Sequence, residues 1–204
     1  MSFSVAVLAS GTGSNLQALL DRVHGRDGIE IVAVGSNRPD AQALERARGA
    51  GIETAVFPLE DHAGREARDA AMVAWLEERG ADLVVLAGFM EILTPAFIRP
   101  LSGRIVNVHP SLLPAFPGVR SIEQALDHGV QVTGVTVHFV DEGVDSGPIV
   151  LQEAFELPYH RDIEAVETRV HQIEHELLPR AVRLIAAGAV EVEGRQVRVR
   201  DGAG

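Results

Sequence analysis

Short aliphatic and β-branched runs alternate along the first half of the chain with longer stretches whose apolar residues recur three and four apart. The runs at residues 5–9, 29–34, 54–57, 83–87 and 105–108 predict buried strands. Between them, residues 15–23, 41–49 and 66–79 carry the helical period. Strand and helix in alternation predict a doubly wound α/β fold: a mostly parallel, twisted sheet flanked by helices, Rossmann-like in layout. After Val108 the pattern changes to a proline-punctuated loop at 109–118, a helix near 121–127, and two extended segments at 132–140 and 148–157. Residues 162–187 predict a long amphipathic helix with Ile163, Val166, Val170, Ile173, Leu177 and Leu178 on one stripe. Pro179 is expected to kink or divide it, because proline removes a backbone donor and clashes with the preceding turn. A small hairpin is predicted at 190–199, around Glu193-Gly194.

The length, 204 residues, suits one well-filled domain. We read a single domain over 1–204, with a phosphate-binding βαβ half at 1–108 and a half at 109–204 that carries the catalytic loop and the long helix. Hydrophobic residues make up 46% and aromatics only 4%, so the core is built from small aliphatic side chains, as in helix-covered parallel sheets. Eighteen basic against 29 acidic residues leave a net charge of −11, which argues against a nucleic-acid partner. No lysine occurs, which excludes Schiff-base, pyridoxal-phosphate and Walker-A chemistry. Cysteine is absent too, removing thiolate nucleophiles and cysteine-held metals. No basic leader opens the chain and no apolar run approaches the roughly 20 residues a bilayer requires, so a cytoplasmic protein without membrane contact is expected. A homodimer stays open.

The segment Ala9-Ser10-Gly11-Thr12-Gly13-Ser14-Asn15 joins a predicted strand to a predicted helix, which offers backbone N–H groups to a phosphate. A dinucleotide fingerprint fails here: Leu16 stands where a third glycine belongs, and Gly35-Ser36-Asn37 where an acidic residue should end the second strand. A tight turn with Ser14 or Asn15 as N-cap is the plainer alternative. If a phosphate is held, a side chain added at Gly13 is expected to fill its space.

Asn107 and His109, two apart at a strand end, leave on one face at the carboxyl edge, where open α/β sheets bind ligands. An imidazole there can shuttle a proton, and an amide can donate to an oxygen that becomes negative. Asp145, in Gly143-Val144-Asp145-Ser146-Gly147-Pro148, sits in a loop able to bring a carboxylate over a strand end. Three other elements carry plainer readings. His171-Gln172-Ile173-Glu174-His175 fits H-x-x-E-H, a zinc-hydrolase pattern, but no neighbouring segment supplies a third ligand, so a solvated helix face accounts for it as well. His138 alternates with apolar residues and reads as a satisfied sheet residue. Glu60-Asp61-His62 reads as a surface loop.

Gly11-Thr12-Gly13-Ser14-Asn15-Leu16-Gln17-Ala18, Ala87-Gly88-Phe89-Met90, Asn107-Val108-His109-Pro110-Ser111-Leu112-Leu113-Pro114 and Gly143-Val144-Asp145-Ser146-Gly147-Pro148 resemble, in order and spacing, the phosphoribosylglycinamide formyltransferase family. The resemblance runs from Val5 to about Ala187. It implies transfer of a formyl group from 10-formyltetrahydrofolate to the amine of 5-phosphoribosylglycinamide in purine biosynthesis, without a metal. It further implies that Asn107, His109 and Asp145 are catalytic, that Gly13, Ser14 and Asn15 hold the phosphate, and that Glu174 contacts the ribonucleotide. Arg65, Met90, Glu91, Ile92, Leu93 and Asn107 are implied to receive the folate. Glu91 stands where the family commonly has a basic residue. Two folate relatives share the Asn-x-His and Asp-x-Gly-Pro elements but are expected to carry further domains: methionyl-tRNA formyltransferase at its C-terminus, formyltetrahydrofolate deformylase at its N-terminus. Hydrolysis of 10-formyltetrahydrofolate and a non-catalytic nucleotide-binding regulator are the remaining alternatives.

Overall fold

The structure, a computed structural model, describes residues 2–157 and 162–200. Seven strands form one sheet of order β3-β2-β1-β4-β5-β6-β7, mostly parallel and flanked by helices, and β8 and β9 form a separate two-stranded hairpin. The chain divides into two compact units, Met1–Asn107 and Val108–Gly204.

The first unit runs β1 (Phe3–Leu8), α1 (Ser14–Arg22), β2 (Ile29–Ser36), α2 (Gln42–Gly49), β3 (Glu53–Val56), α3 (Arg65–Glu78), β4 (Leu83–Leu86), α4 (Pro95–Ile98) and the start of β5 (Ile105–His109). The pairings β1·β2, β2·β3, β1·β4 and β4·β5 are all parallel. Residues 5–8 of β1 are completely buried, as a central strand covered on both faces must be, whereas β3 is partly exposed along its length. Chain order reverses between β1 and β4. In open sheets that reversal opens a crevice at the carboxyl ends of the two strands.

The second unit contains α5 (Ser121–His128), β6 (Val132–Phe139), β7 (Ile149–Glu156), α6 (Ile163–Ala186), β8 (Val190–Glu193) and β9 (Gln196–Val199). β6 and β7 pair antiparallel, with a register irregularity between Val137 and His138, and α6 packs on both. Asp162 caps α6 by accepting from the Glu164 N–H.

The structure corrects one expectation and adds two elements. α6 is not divided at Pro179 but runs unbroken for 24 residues with the proline inside it. Its buried stripe continues through the proline, with Val170, Ile173, Leu177 and Leu178 before it and Ala181, Val182 and Leu184 after it. Apolar burial on both sides offsets the lost backbone bond. The short α4 and a 3₁₀ turn at Leu59–Asp61 were not anticipated. Among the described residues, no helix is long and apolar enough to cross a membrane.

Candidate active site

Three strand ends of the first unit lie in one row. Leu8 of β1 pairs with Leu86 of β4, and Leu86 pairs with Asn107 of β5. The glycine loop leaves this row at Ala9. Its last residue, Gly13, is the N-cap of α1 in the left-handed conformation (φ 71°), and no side chain caps the helix. The turn with Ser14 or Asn15 as N-cap therefore does not form, and the helix start offers its first-turn N–H groups to an acceptor from outside the helix. The loop is held from behind by Arg46 of α2, which donates through Nε to the Thr12 carbonyl (2.8 Å) and through Nη1 to Gln17 Oε1 (3.0 Å).

Gly13 meets a constraint that the loop sequence does not show. A Cβ added there would lie 2.7 Å from Ala43 Cα, inside the backbone of α2. A side chain at 13 thus collides with a helix whether or not a ligand is bound.

The second loop of this edge follows β4. Met90 N–H donates to Ser10 Oγ (2.8 Å), and Arg65 Nη2 donates to the Ile92 carbonyl. Met90 and Ile92 are 74% and 67% exposed, while Leu93 is buried. Two large apolar side chains held outward on an anchored loop make a surface fit for a flat, partly apolar ligand. Of the predicted folate residues, Arg65 thus binds the loop itself. Glu91 turns back toward the protein, accepting from Asn37 Nδ2 (3.2 Å) and standing 3.1 Å from Arg68 Nη1.

In the second unit His109 and Asp145 are brought together. His109 Nε2 donates to the Phe116 carbonyl (2.9 Å), since a carbonyl can only accept, and its Nδ1 faces Asp145 Oδ2 at 3.4 Å. The Asp145 carboxylate is fixed by the Gly118 N–H (2.7 Å), and its other oxygen lies 3.6 Å from His138 Nε2. Burial alone pushes this carboxyl up, but His138, the Gly118 N–H and His109 together outweigh it and hold Asp145 below the usual carboxylate range. Asp145 takes a left-handed backbone (φ 50°), a conformation that Asp tolerates better than most residues. Its neighbour Gly147 has no room for a Cβ, which would meet the Phe139 carbonyl at 1.8 Å.

The proline loop that carries Phe116 is strapped to the sheet. Thr136 Oγ1 donates to the Ser111 carbonyl (2.7 Å) and accepts from the Leu113 N–H (3.1 Å), and Gln152 Nε2 donates to the Leu113 carbonyl (2.9 Å). Thr136 of β6, which is buried, and Gln152 of β7 thereby hold the loop whose Phe116 carbonyl fixes the His109 ring.

Sequence reasoning missed His138 as a neighbour of Asp145. Its alternation with Val137 and Phe139 signals only the sheet, and its partner lies in the loop between β6 and β7. On α6, Glu174 is buried and pairs with His171 Nδ1 at 3.0 Å, which raises the His171 pKa, and the rings of His171 and His175 stack. Among the described residues, no group of three or more His, Asp or Glu side chains is arranged to hold a metal ion, as the zinc-hydrolase reading of this segment requires.

A family model described as formyl transferase matches residues 3–182. The chain belongs to the formyl transferase family. Its similarity reaches the phosphoribosylglycinamide formyltransferase of Mycobacterium tuberculosis, 44% identical over 191 residues that cover 94% of this chain and 88% of that protein. The crystal structure of glycinamide ribonucleotide transformylase 1 from Symbiobacterium toebii superposes with a TM-score of 0.95 at 45% identity, covering 98% of this chain and 95% of that one. The trifunctional purine biosynthetic protein adenosine-3 of Bos taurus is 48% identical over 189 residues, 92% of this chain, but this formyl transferase chain spans only 19% of its length.

Proposed function

We propose that the chain transfers the formyl group of 10-formyltetrahydrofolate to the amine of 5-phosphoribosylglycinamide. The observation that carries this reading is the Asp145 carboxylate set against the His109 ring, on a strand that presents Asn107 two residues earlier. The amine nitrogen attacks the formyl carbon, a C–N bond forms, and the carbonyl oxygen becomes an oxyanion. The Asn107 amide donates to that oxygen, and His109 supports it or protonates the departing folate nitrogen as the old C–N bond breaks. Asp145 receives the proton lost by the attacking amine, through water. Each of these contributions is worth about two to three orders of magnitude in rate.

In this reading Gly13, Ser14 and Asn15 hold the ribose phosphate through backbone N–H groups, and Glu174 contacts the ribonucleotide. The folate site comprises Arg65, the segment Met90, Glu91, Ile92 and Leu93, and Asn107, as residues that face the ligand or hold those that do. The two compact units act as one formyltransferase domain, consistent with a family match that runs through both.

The test is the release of deformylated folate with and without the ribonucleotide. Transfer requires both substrates, whereas turnover of 10-formyltetrahydrofolate alone identifies a hydrolase. His109→Ala should lower kcat by about 10²–10⁴-fold while ribonucleotide Kd by calorimetry stays within about twofold, because the ring acts on charge that exists only in the transition state. An unchanged kcat removes His109 from the mechanism.

A further inference from the structure

The loop after β4 is tied down by a chain of side chains that ends on a buried cation. Arg68 of α3 is fully buried, and its Nε and Nη2 donate to Asp69 Oδ1 at 3.0 and 2.8 Å. The remaining nitrogen, Nη1, faces Glu91 Oε2 at 3.1 Å. Asp69 Oδ2 accepts the Thr94 N–H (2.7 Å), while Glu91 Oε1 accepts from Asn37 Nδ2 (3.2 Å). Asn37 in turn accepts from Ser10 Oγ (2.6 Å), the hydroxyl that receives the Met90 N–H. The segment 90–94 is therefore held by its Met90 N–H, its Glu91 carboxylate, its Ile92 carbonyl and its Thr94 N–H.

A guanidinium with no exposure is costly unless carboxylates surround it, and here one of the two comes from the loop itself. Arg68 consequently stays charged, and Glu91 cannot leave without stranding it. We propose that Arg68 and Glu91 are positioning residues: their ion pair fixes the backbone of 90–94 so that Met90 and Ile92 face outward as a preformed wall for the folate. The inference rests on the formyl-transfer reading. It assigns Glu91 to the support of the loop rather than to contact with the acidic end of the folate, where a carboxylate would repel.

The two roles predict opposite signs. Glu91→Gln keeps the shape and the acceptor for Asn37 but removes the charge that Arg68 requires. It should raise KM for 10-formyltetrahydrofolate, and its calorimetric Kd, about tenfold, leaving kcat and the ribonucleotide KM within about twofold. Folate binding that is unchanged, or tighter than in the wild type, overturns the proposal, the second because it shows direct repulsion relieved.

Arg68→Met and the double variant Arg68→Met/Glu91→Gln complete a cycle, read by Kd for folate on variants whose thermal unfolding remains cooperative. Strong non-additivity, with the double variant no worse than Arg68→Met alone, is expected for a coupled pair; additive losses overturn the coupling. Glu91→Gln, the milder change, tests the proposal even where Arg68→Met fails to fold. Failure of the formyl-transfer reading is separately visible, as a wild-type protein that does not consume the two substrates together.

Discussion

Asp145 is met by the Gly118 N–H and by the rings of His109 and His138, and its charge has a measurable signature. Its folded-state pKa lies below the ordinary 3.8, so its ionised form stabilises the fold. That contribution is present above the unfolded value and disappears as pH falls through the folded one. Asp145→Asn should therefore lower Tm by a constant amount above about pH 5, and the gap should close below the ordinary carboxylate pKa. A gap independent of pH would mean that shape, not charge, is lost. His171 has the opposite sign. Glu174 raises its pKa above 6.5, so the pair stabilises fully below that value and loses its effect as pH rises through the raised one. The Tm difference between wild type and His171→Ala should be largest in mild acid and vanish in alkali, in a thermal melt series across pH. A difference that grows with pH would contradict the pairing.

At the scale of elements, local pattern and long-range packing separate cleanly at Gly13. The glycine itself was legible as part of a strand–loop–helix turn, but its reason was not, because the constraint comes from Ala43 on the next helix. Gly13→Ala places a Cβ against the backbone of α2 at a positive φ, which costs at least about 1–3 kcal/mol in strain. Urea denaturation should show that loss, and affinity for ribonucleotide and folate should fall together. A selective loss of ribonucleotide binding in a fully stable variant would restore the simpler idea that the position only clears space for phosphate. The same division explains the rest. The strands and longer helices were readable because each repeats its period over several residues, whereas α4 and the turn at Leu59–Asp61 are too short to show one. Thr94-Pro95 was the available signal for α4, a proline at the first helical position. Asn107, His109 and Asp145 were legible from strand ends and loop chemistry. His138 and Arg68 were not, because an alternating strand and an amphipathic helix hide a polar residue whose partner lies in a loop outside the element.

For the whole molecule, the proposed mechanism divides the chemistry between an amide, an imidazole and a carboxylate, and none of its steps calls for a Lewis acid. The described residues offer His171 and His175 one helical turn apart, but the nearby carboxylate of Glu174 is engaged by His171, and no set of three ligands is assembled. A zinc hydrolase would need three protein ligands and an open position for water. Incubation with excess EDTA followed by gel filtration should therefore leave kcat and both KM values unchanged within error, at any pH where the protein stays folded. Loss of activity that returns on adding zinc would reverse the assignment, moving the reaction from the strand end at Asn107 and His109 to the segment 171–175 of α6. The His109→Ala and His171→Ala variants then locate the chemistry independently: in a metal-free transferase the first lowers kcat by about 10²–10⁴-fold and the second leaves kcat in place.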